Sequence, residues 1–355
     1  MAIGRQSAGT PIRVVNAWAP VRVCDNGGWT DTWFARHGKV FNVAVSPGVD
    51  VQVTVHRRDE RPARVVLHAE NLGAPYAVDL ARAGAGPHPL LEAAIAEMGI
   101  PAHAAVEIWI HSDVPAGCST GTSASVMVAL VGALDAVRAG ALTPIEVART
   151  AHRIEVERLG LQSGVQDQLS AACGGINFIE IDEYPRARVL PIEVPDAVWW
   201  ELDRRLVLVY LGRTHRSSAV HELVIASLAR DRGVSPTLDA LRQAAERSRA
   251  AVIASDFTAL GRAMIDNTTA QGELHPDLIG REAREVIALV SSQEVLGWKV
   301  NGAGGQGGSM TLLAGPSARA RRELLRTLAR TLPQCRVIPT SLSRSGLRVW
   351  DAPLP

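Results

Sequence analysis

Three segments of this 355-residue chain contain residues whose types and spacing could do chemistry. The first, 115–125, reads PAGCSTGTSAS and directly precedes a stretch rich in Ala, Val and Leu. Glycines let the backbone approach a ligand closely, and the free N–H groups at a helix start favour an anion. Hydroxyl side chains could add hydrogen bonds or hold Mg²⁺, namely those of Ser119, Thr120, Thr122 and Ser123. The segment therefore indicates a phosphate-binding loop, with a flexible turn as the alternative.

The second segment pairs two carboxylates across a tight turn. Glu157 lies at the end of one predicted helix, and Asp167 follows a Ser-Gly turn at the start of the next. Such an arrangement can bring one acid to a metal ion and the other to a substrate hydroxyl. The alternative is a pair of solvated acids at helix ends.

The third segment, 299–308, has five glycines within 302–308, between two strand-like stretches. A mobile loop is the alternative here. However, ordering so many glycines costs conformational entropy on folding, so the segment predicts a close approach of its backbone to a ligand.

Hydrophobic patterning predicts the elements that must position these segments. Residues 49–56 alternate strictly, with four valines on one face, and 106–110 repeat the alternation, so both are predicted as strands. A helix is predicted over 87–99, and the apolar stretch after Ser123 predicts a helix buried in the core. The segment 143–160 opens with a Thr-Pro-Ile-Glu capping box and ends at glycine, which predicts another helix.

A second, helix-rich region follows a polar stretch at 182–198. It opens with a predicted strand over 206–211. Helices are predicted near 218–231, 237–254, 256–270, 277–293 and 317–331, and strands near 297–301, 309–314, 335–339 and 346–350. This order predicts an α+β protein of two lobes, with domains at 1–200 and 201–355.

Composition excludes several classes of function. The formal charge of +1 gives no general attraction to nucleic acid or to an anionic membrane, and no apolar run approaches the ~20 residues of a membrane helix. The four cysteines form no CxxC pair, so no zinc knuckle is predicted. The chain has only two lysines, Lys39 and Lys299, and neither is followed by Ser or Thr, which excludes a GxxxxGK[ST] phosphate loop. The opening MAIGRQSAGTPIRV lacks the apolar stretch of a signal peptide, which predicts a cytoplasmic location.

Taken together, the three segments resemble those of the GHMP kinase superfamily. Residues 115–125 resemble its Pro-x-x-x-Gly-Leu-Gly-Ser-Ser-Ala motif, with Ser119-Thr120 in place of Gly-Leu, and 302–308 resemble its Gly-Ala-Gly-x-Gly-Gly motif. The resemblance implies a two-lobed fold, with an N-terminal lobe like ribosomal protein S5 and a ferredoxin-like C-terminal lobe. It also implies ATP and Mg²⁺ as cofactors. The ATP-binding residues that it implies are Pro115, Gly117, Ser119, Thr120, Gly121, Thr122, Ser123, Gly302, Gly304 and Gly305.

A further resemblance points to sugars. Ala19-Pro-Val-Arg22 and Gly27-Gly-Trp-Thr-Asp31 resemble the N-terminal motif of galactokinases, with Gly28-Trp29 in place of Glu-His. That replacement, and the segment around Asp167, are similar to L-fucokinase domains and to heptose 7-phosphate kinases. We therefore expect a kinase for the anomeric hydroxyl of a heptose 7-phosphate, with L-fucose or another free sugar as the alternative. A catalytically silent sugar sensor is the alternative from another class.

Roles follow from the resemblance residue by residue. It implies that Asp167 is the catalytic base with Arg22 beside it, and that Ser123 and Glu157 are the Mg²⁺ ligands. The sugar-binding residues that we expect are Asp31, Trp29, Gly28, Thr30, Gln168, Arg216 and His215. The expected partner is a small-molecule sugar or sugar phosphate, without nucleic acid or membrane, bound by a monomer or homodimer.

Overall fold

The computed structural model describes residues 10–70, 73–213, 218–230 and 235–354. Its strands are β1 Arg13–Asn26, β2 Gly38–Arg57, β3 Val65–Ala69, β4 Tyr76–Ala77, β5 Ala104–Ser112, β6 Ile176–Glu183, β7 Arg186–Pro191, β8 Leu206–Tyr210, β9 Val295–Val300, β10 Ser309–Ala314, β11 Arg336–Ile338, β12 Ser341–Leu342 and β13 Arg348–Asp351. Its α-helices are α1 Pro89–Met98, α2 Thr122–Val137, α3 Pro144–Arg153, α4 Gln166–Cys173, α5 Asp196–Arg205, α6 Ser218–Arg230, α7 Pro236–Ile253, α8 Phe257–Leu274, α9 Arg281–Val290 and α10 Ala318–Thr331.

The long strand β2 organises the first sheet. Its second half pairs with β5, from Val49 opposite Ser112 to Arg57 opposite Ala104, while its first half pairs with β6. The four alternating valines of the predicted strand are all buried, as the pattern required. The sheet runs in the order β13-β1-β2-β5-β3-β4, with β6, β7 and β12 attached along β2 and β6.

Helix α2 fills the core beneath this sheet. Met127, Leu130 and Leu134 are fully buried, and the helix packs against both β1 and β2. An apolar surface all round explains why the helix lies inside the lobe. No helix in the described part of the chain is long and apolar enough to cross a membrane.

The second sheet is antiparallel and runs in the order β11-β8-β10-β9. Counted along the chain, this is the 4-1-3-2 order of the ferredoxin-like fold that the resemblance implied. The α+β class with two lobes is therefore confirmed.

The predicted domain cut at residue 200 needs a correction at the C-terminus. Strands β12 and β13 return to the first sheet, where Val15 pairs with Asp351 and Val45 with Leu342. The end of the chain thus completes the N-terminal lobe, because β1 offers a free edge there. The polar stretch 182–198, for which no regular element was predicted, contains β7 and the start of α5.

Candidate active site

The predicted phosphate loop lies directly before α2. Gly121 precedes the helix with φ +73°, and Ser119 takes φ +60°, a left-handed backbone that glycine adopts more easily. The related motif has glycine at this position, so the loop keeps the conformation although the residue differs. The hydroxyl oxygen of Ser119 is buried without a hydrogen-bond partner in the described structure. A loop with free N–H groups and an unpaired buried hydroxyl suits phosphate oxygens.

Arg22 and Asp167 form a two-pronged ion pair beside this loop. The Arg22 Nε donates to Asp167 Oδ1 at 2.8 Å and Nη2 to Oδ2 at 3.2 Å, while Nη1 donates to the Ser119 carbonyl at 2.6 Å. Burial would lower the pKa of Arg22, but the charges of Asp167 and Asp25 outweigh it, so the pKa is raised. Arg22 therefore stays charged, and its two hydrogen bonds fix the orientation of the Asp167 carboxyl group.

Asp31 supplies a second carboxylate close to the pair. Its side chain is 3% exposed, and Oδ2 accepts a hydrogen bond from the Gln166 backbone N–H at 3.1 Å. Burial raises its pKa to about 6, although the Gln166 hydrogen bond opposes this. A Cβ at Gly164 would lie 2.1 Å from Asp31 Oδ2, so only glycine fits there. Gly164 was not among the predicted site residues, although the Ser-Gly turn before Asp167 pointed to this position.

These side chains line one cavity of about 180 Å³, which we call the polar cavity. An aromatic wall of Trp29, Trp33 and Phe34 faces the charged groups. Six of the predicted site residues line it: Arg22, Gly28, Trp29, Asp31, Asp167 and Gly302. A space of this kind can hold a small polyol between an aromatic face and carboxylates.

Two predicted sugar-binding residues lie behind the wall of the polar cavity. Thr30 is fully buried, and its hydroxyl donates to the Gly27 carbonyl at 2.7 Å. Gln168 is 1% exposed, and its amide donates to Glu155 at 2.8 Å. Both lie outside the cavity lining; the Gln168 amide nitrogen is used within the protein, while its Oε1 is buried without a hydrogen-bond partner in the described structure.

The structure does not bring Glu157 to the polar cavity. Residues 154–158 form a π-type turn, which leaves Glu157 exposed beside a separate cavity and turns Glu155 inward. Glu155 is 6% exposed, and burial, with the nearby charge of Asp167, raises its pKa to about 7. Its Oε1 is buried without a hydrogen-bond partner in the described structure, as expected of a cation ligand. Glu155 was not among the predicted site residues, because a regular-helix interpretation hid it. The metal-binding role of Glu157 stays a prediction.

The C-terminal glycine loop contacts the phosphate loop from the second lobe. A Cβ at Gly302 would lie 3.0 Å from the Ser119 carbonyl oxygen, and one at Gly304 would lie 2.3 Å from that of Leu278. Gly305 donates its N–H to the same Leu278 carbonyl at 2.7 Å. The close backbone approaches that the structure shows are to the protein's own backbone, and an approach to a ligand stays a prediction.

A buried pair of charges joins the two lobes beneath this loop. Asp25 is 0% and Lys299 is 1% exposed, and their charged atoms lie 3.4 Å apart. The pKa of Lys299 is lowered, because burial outweighs the opposing charge of Asp25. The ion pair was not predicted from the sequence: Asp25 lies in none of the three segments, and Lys299 is only the first residue of the third.

On the other side of the phosphate loop lies a second cavity of about 370 Å³, which we call the apolar cavity. It is lined by Ala69, Leu90, Ile110 and Val126, together with the loop residues Gly117, Thr122 and Ser123. Ser123 is exposed at this cavity, whereas Thr120 is buried and Pro115 closes the turn by accepting from the Cys118 N–H. The metal-binding role of Ser123 stays a prediction.

Two candidate phosphate-binding residues, His215 and Arg216, lie outside the described residues. Their neighbour Arg213 is described, and its guanidinium lies 3.5 Å from Glu282.

Comparison with known proteins gives consistent matches. Residues 89–175 match the family of GHMP kinases N terminal domains. A mevalonate kinase of Thermococcus sibiricus is 30% identical over 259 residues, covering 69% of this chain and 69% of its own. A D-glycero-alpha-D-manno-heptose 7-phosphate kinase of Campylobacter jejuni is 26% identical over 240 residues, covering 68% and 69%. A crystal structure of a D-glycero-D-manno-heptose 1-phosphate kinase from Bacteroides thetaiotaomicron shares the fold, with TM-score 0.71, 20% identity and coverage of 95% and 98%.

Proposed function

The chain belongs to the GHMP kinase family, and on that premise we propose that it phosphorylates the anomeric hydroxyl of a sugar with MgATP. Its relatives are phosphotransferases, so the reaction class is that of the family. The observation that supports a sugar is the polar cavity, where Asp167, paired with Arg22, faces Asp31 and an aromatic wall. Carboxylates accept hydrogen bonds from sugar hydroxyls, and the wall covers the apolar face of the ring.

Asp167 is the proton acceptor in this proposal. Its carboxylate is 29% exposed at the cavity, so a hydroxyl can reach it, and both of its oxygens receive hydrogen bonds from Arg22. As the hydroxyl oxygen attacks the γ-phosphorus, its proton passes to Asp167, and the bond from phosphorus to the β,γ-bridging oxygen breaks. The positive charge of Arg22 then stabilises the negative charge that develops on the attacking oxygen and the phosphoryl group during the transfer.

The phosphate loop and Glu155 offer groups that suit phosphates and Mg²⁺. The loop offers helix N–H groups and the unpaired Ser119 hydroxyl, and Glu155 offers an unpaired carboxylate oxygen. Within the described residues no group of three or more His, Cys, Asp and Glu could hold a metal by itself. Mg²⁺ commonly takes one or two carboxylates with the substrate phosphates, so Glu155 and Ser123 would complete such a site. When bound, Mg²⁺ supplies positive charge against the phosphate oxygens.

For the substrate, we propose a heptose 7-phosphate. The similarity to a heptose 7-phosphate kinase over 68% of this chain supports this choice. A remote dianion would require a cationic site, and Arg216 is the candidate because in the sequence it follows the strand that opens the second region. Arginine can hold a phosphate with two charge-assisted hydrogen bonds at once.

One observation favours a neutral sugar as the second candidate. Among the described residues that line the polar cavity, Arg22 is the only cation, and its guanidinium is already used by Asp167 and Ser119. A free sugar such as L-fucose needs no further positive charge. The two candidates therefore differ in whether the residues around Arg216 act on the substrate.

A panel of sugars and sugar phosphates with coupled ADP detection tests the proposal. We expect heptose 7-phosphate to give the highest kcat/KM, and Arg216→Ala to raise its KM roughly 10- to 150-fold, the loss of one charge-assisted hydrogen bond. The KM for ATP should stay nearly unchanged. Faster turnover of L-fucose would support the second candidate. Sugar binding without ADP release would support the silent sensor and reject the kinase.

A further inference from the structure

The buried pair of Asp25 and Lys299 is not explained by stability. Transferring two charges from water into a protein interior is costly, and apolar replacements of such pairs are often neutral or stabilising. Here both side chains are essentially inaccessible, with 0% and 1% exposure. A buried ion pair that adjoins reacting groups is therefore better explained by what it holds in place.

The pair holds the glycine loop on both sides of one residue. Asp25 Oδ2 accepts the Gly302 N–H at 2.9 Å, and Gln271 donates its amide to the Gly302 carbonyl at 3.1 Å. The same Gln271 accepts a hydrogen bond from the Lys299 ammonium at 3.1 Å, and that ammonium also donates to the Val300 carbonyl. The peptide of Gly302, which abuts Ser119, is thereby fixed to β1 of the other lobe.

The pair also adjoins the proton acceptor through Arg22. The Arg22 Nη2 lies 3.8 Å from Asp25 Oδ2 and 3.2 Å from Asp167 Oδ2. One guanidinium nitrogen thus lies between two carboxylates, and the nearer one is Asp167. Lys299 stands on the far side of Asp25 and offsets its charge.

We propose that Lys299 is a positioning residue of the kinase: by neutralising Asp25 it keeps Arg22 on Asp167. Without Lys299, Asp25 becomes an uncompensated buried carboxylate whose nearest remaining cation is Arg22. The guanidinium then turns toward Asp25 and leaves Asp167 without its second hydrogen bond. The inference rests on the proposed function, and it concerns the proton-transfer step and not the binding of either substrate.

The test is Lys299→Met, measured with the sugar that the panel identifies. Because misplacing a catalytic group by about 1 Å can cost 10²-fold, kcat should fall roughly 10- to 100-fold, with both KM values within about threefold of the parent. The matched control is Lys39→Met, which removes the other lysine of the chain, an exposed partner of Glu246, and should change neither constant. If Lys299→Met does not fold, Lys299→Gln keeps hydrogen-bonding capacity without the charge.

A double variant separates positioning from a structural role. Asp25→Asn/Lys299→Met removes both charges, so Arg22 no longer has a competing carboxylate, and kcat should return to within about fivefold of the parent. A lower Tm with unchanged kcat in the single variant, or a double variant as slow as the single one, would overturn the inference.

A crystal structure of Lys299→Met gives a readout that needs no turnover. We expect the Arg22 guanidinium to lie closer to Asp25 than to Asp167; an unchanged Arg22–Asp167 pair would overturn the inference. If the parent turned over no sugar at all, the proposed function would fail, while this structure would still decide the inference.

Discussion

The apolar cavity is lined in part by the phosphate loop, whereas the polar cavity is lined by Arg22 and Asp167 beside that loop, and the two linings differ in kind. Four charged side chains line the polar cavity: Arg22, Asp25, Asp31 and Asp167. Among the described residues, His88 is the only titratable side chain lining the apolar cavity, which is otherwise formed mainly by aliphatic groups and prolines. In the proposed reaction, the charged cavity would hold the groups between which the proton and the phosphoryl group move, and the aliphatic cavity would bury the flat base of ATP.

This difference predicts which kinetic constant each cavity controls. A group that acts only on the transition state changes kcat, whereas a group that holds a substrate in both states changes KM. Variants in the polar cavity should therefore affect turnover and sugar binding, while variants of the aliphatic side chains in the apolar cavity should affect ATP binding alone.

The largest effect is expected for Asp167→Asn. The substitution removes the proton acceptor at nearly constant shape, so kcat should fall roughly 10²- to 10⁴-fold. Binding of ATP, followed by equilibrium titration, should persist because the apolar cavity is untouched. A variant with near-parental kcat would leave Asp167 as a structural acid at the start of α4.

Glu155→Gln should raise the Mg²⁺ concentration needed for half-maximal activity. Losing a charged ligand interaction of about 1.5–3 kcal/mol corresponds to roughly 10- to 150-fold in affinity. The matched control is Glu157→Gln, two residues along, which changes an exposed acid beside a separate cavity. A Mg²⁺ titration in which Glu157→Gln shows the larger shift would restore the sequence-based assignment.

Asp31 should make sugar binding depend on pH. Burial raises its pKa to about 6, so lowering the pH through 6 protonates the carboxylate and removes an acceptor for sugar hydroxyls. With that pKa, the ionised fraction falls roughly tenfold between pH 7 and 5, and the sugar KM should rise accordingly. The measurement uses saturating Mg²⁺, because Glu155 titrates near the same range. Asp31→Asn should give a uniformly higher KM without this pH dependence.

The smallest effect is expected for Val126→Ala in the apolar cavity. Val126 is half-buried on α2 at the cavity wall, and its loss removes two methyl groups from contact. Two fully buried carbons at about 0.8 kcal/mol each would contribute about 1.6 kcal/mol; because Val126 is half-buried, about half of this is expected, and the KM for ATP should rise about fourfold. Steady-state kinetics should show unchanged kcat and sugar KM. A change in the sugar KM instead would mean that the apolar cavity does not hold the nucleotide.

Regular elements with clear periodicity could be predicted from the sequence. The valines mark only the second half of β2, which begins at Gly38 and not at the predicted Val49, while the capping box marks the start of α3. Strand β1 was not predicted, because its second half is buried on both faces and so lacks alternation. The π-type turn at 154–158 was also hidden, since nothing in its composition separates it from an ordinary helical turn.

Three local features could be predicted from the sequence alone: glycines at positions of close backbone approach, a helix after the phosphate loop, and the arginine and aspartate that form an ion pair in the structure. Local sequence sets such features through backbone freedom and helix-end polarity. Tertiary packing alone set that Glu155 is buried and Glu157 is exposed, that Gly164 makes room for Asp31, and that the C-terminal strands rejoin the first sheet. Tertiary packing also placed Lys299 against Asp25, a residue 274 positions earlier in the chain. The burial of such a pair depends on how two lobes meet, and no local pattern records that.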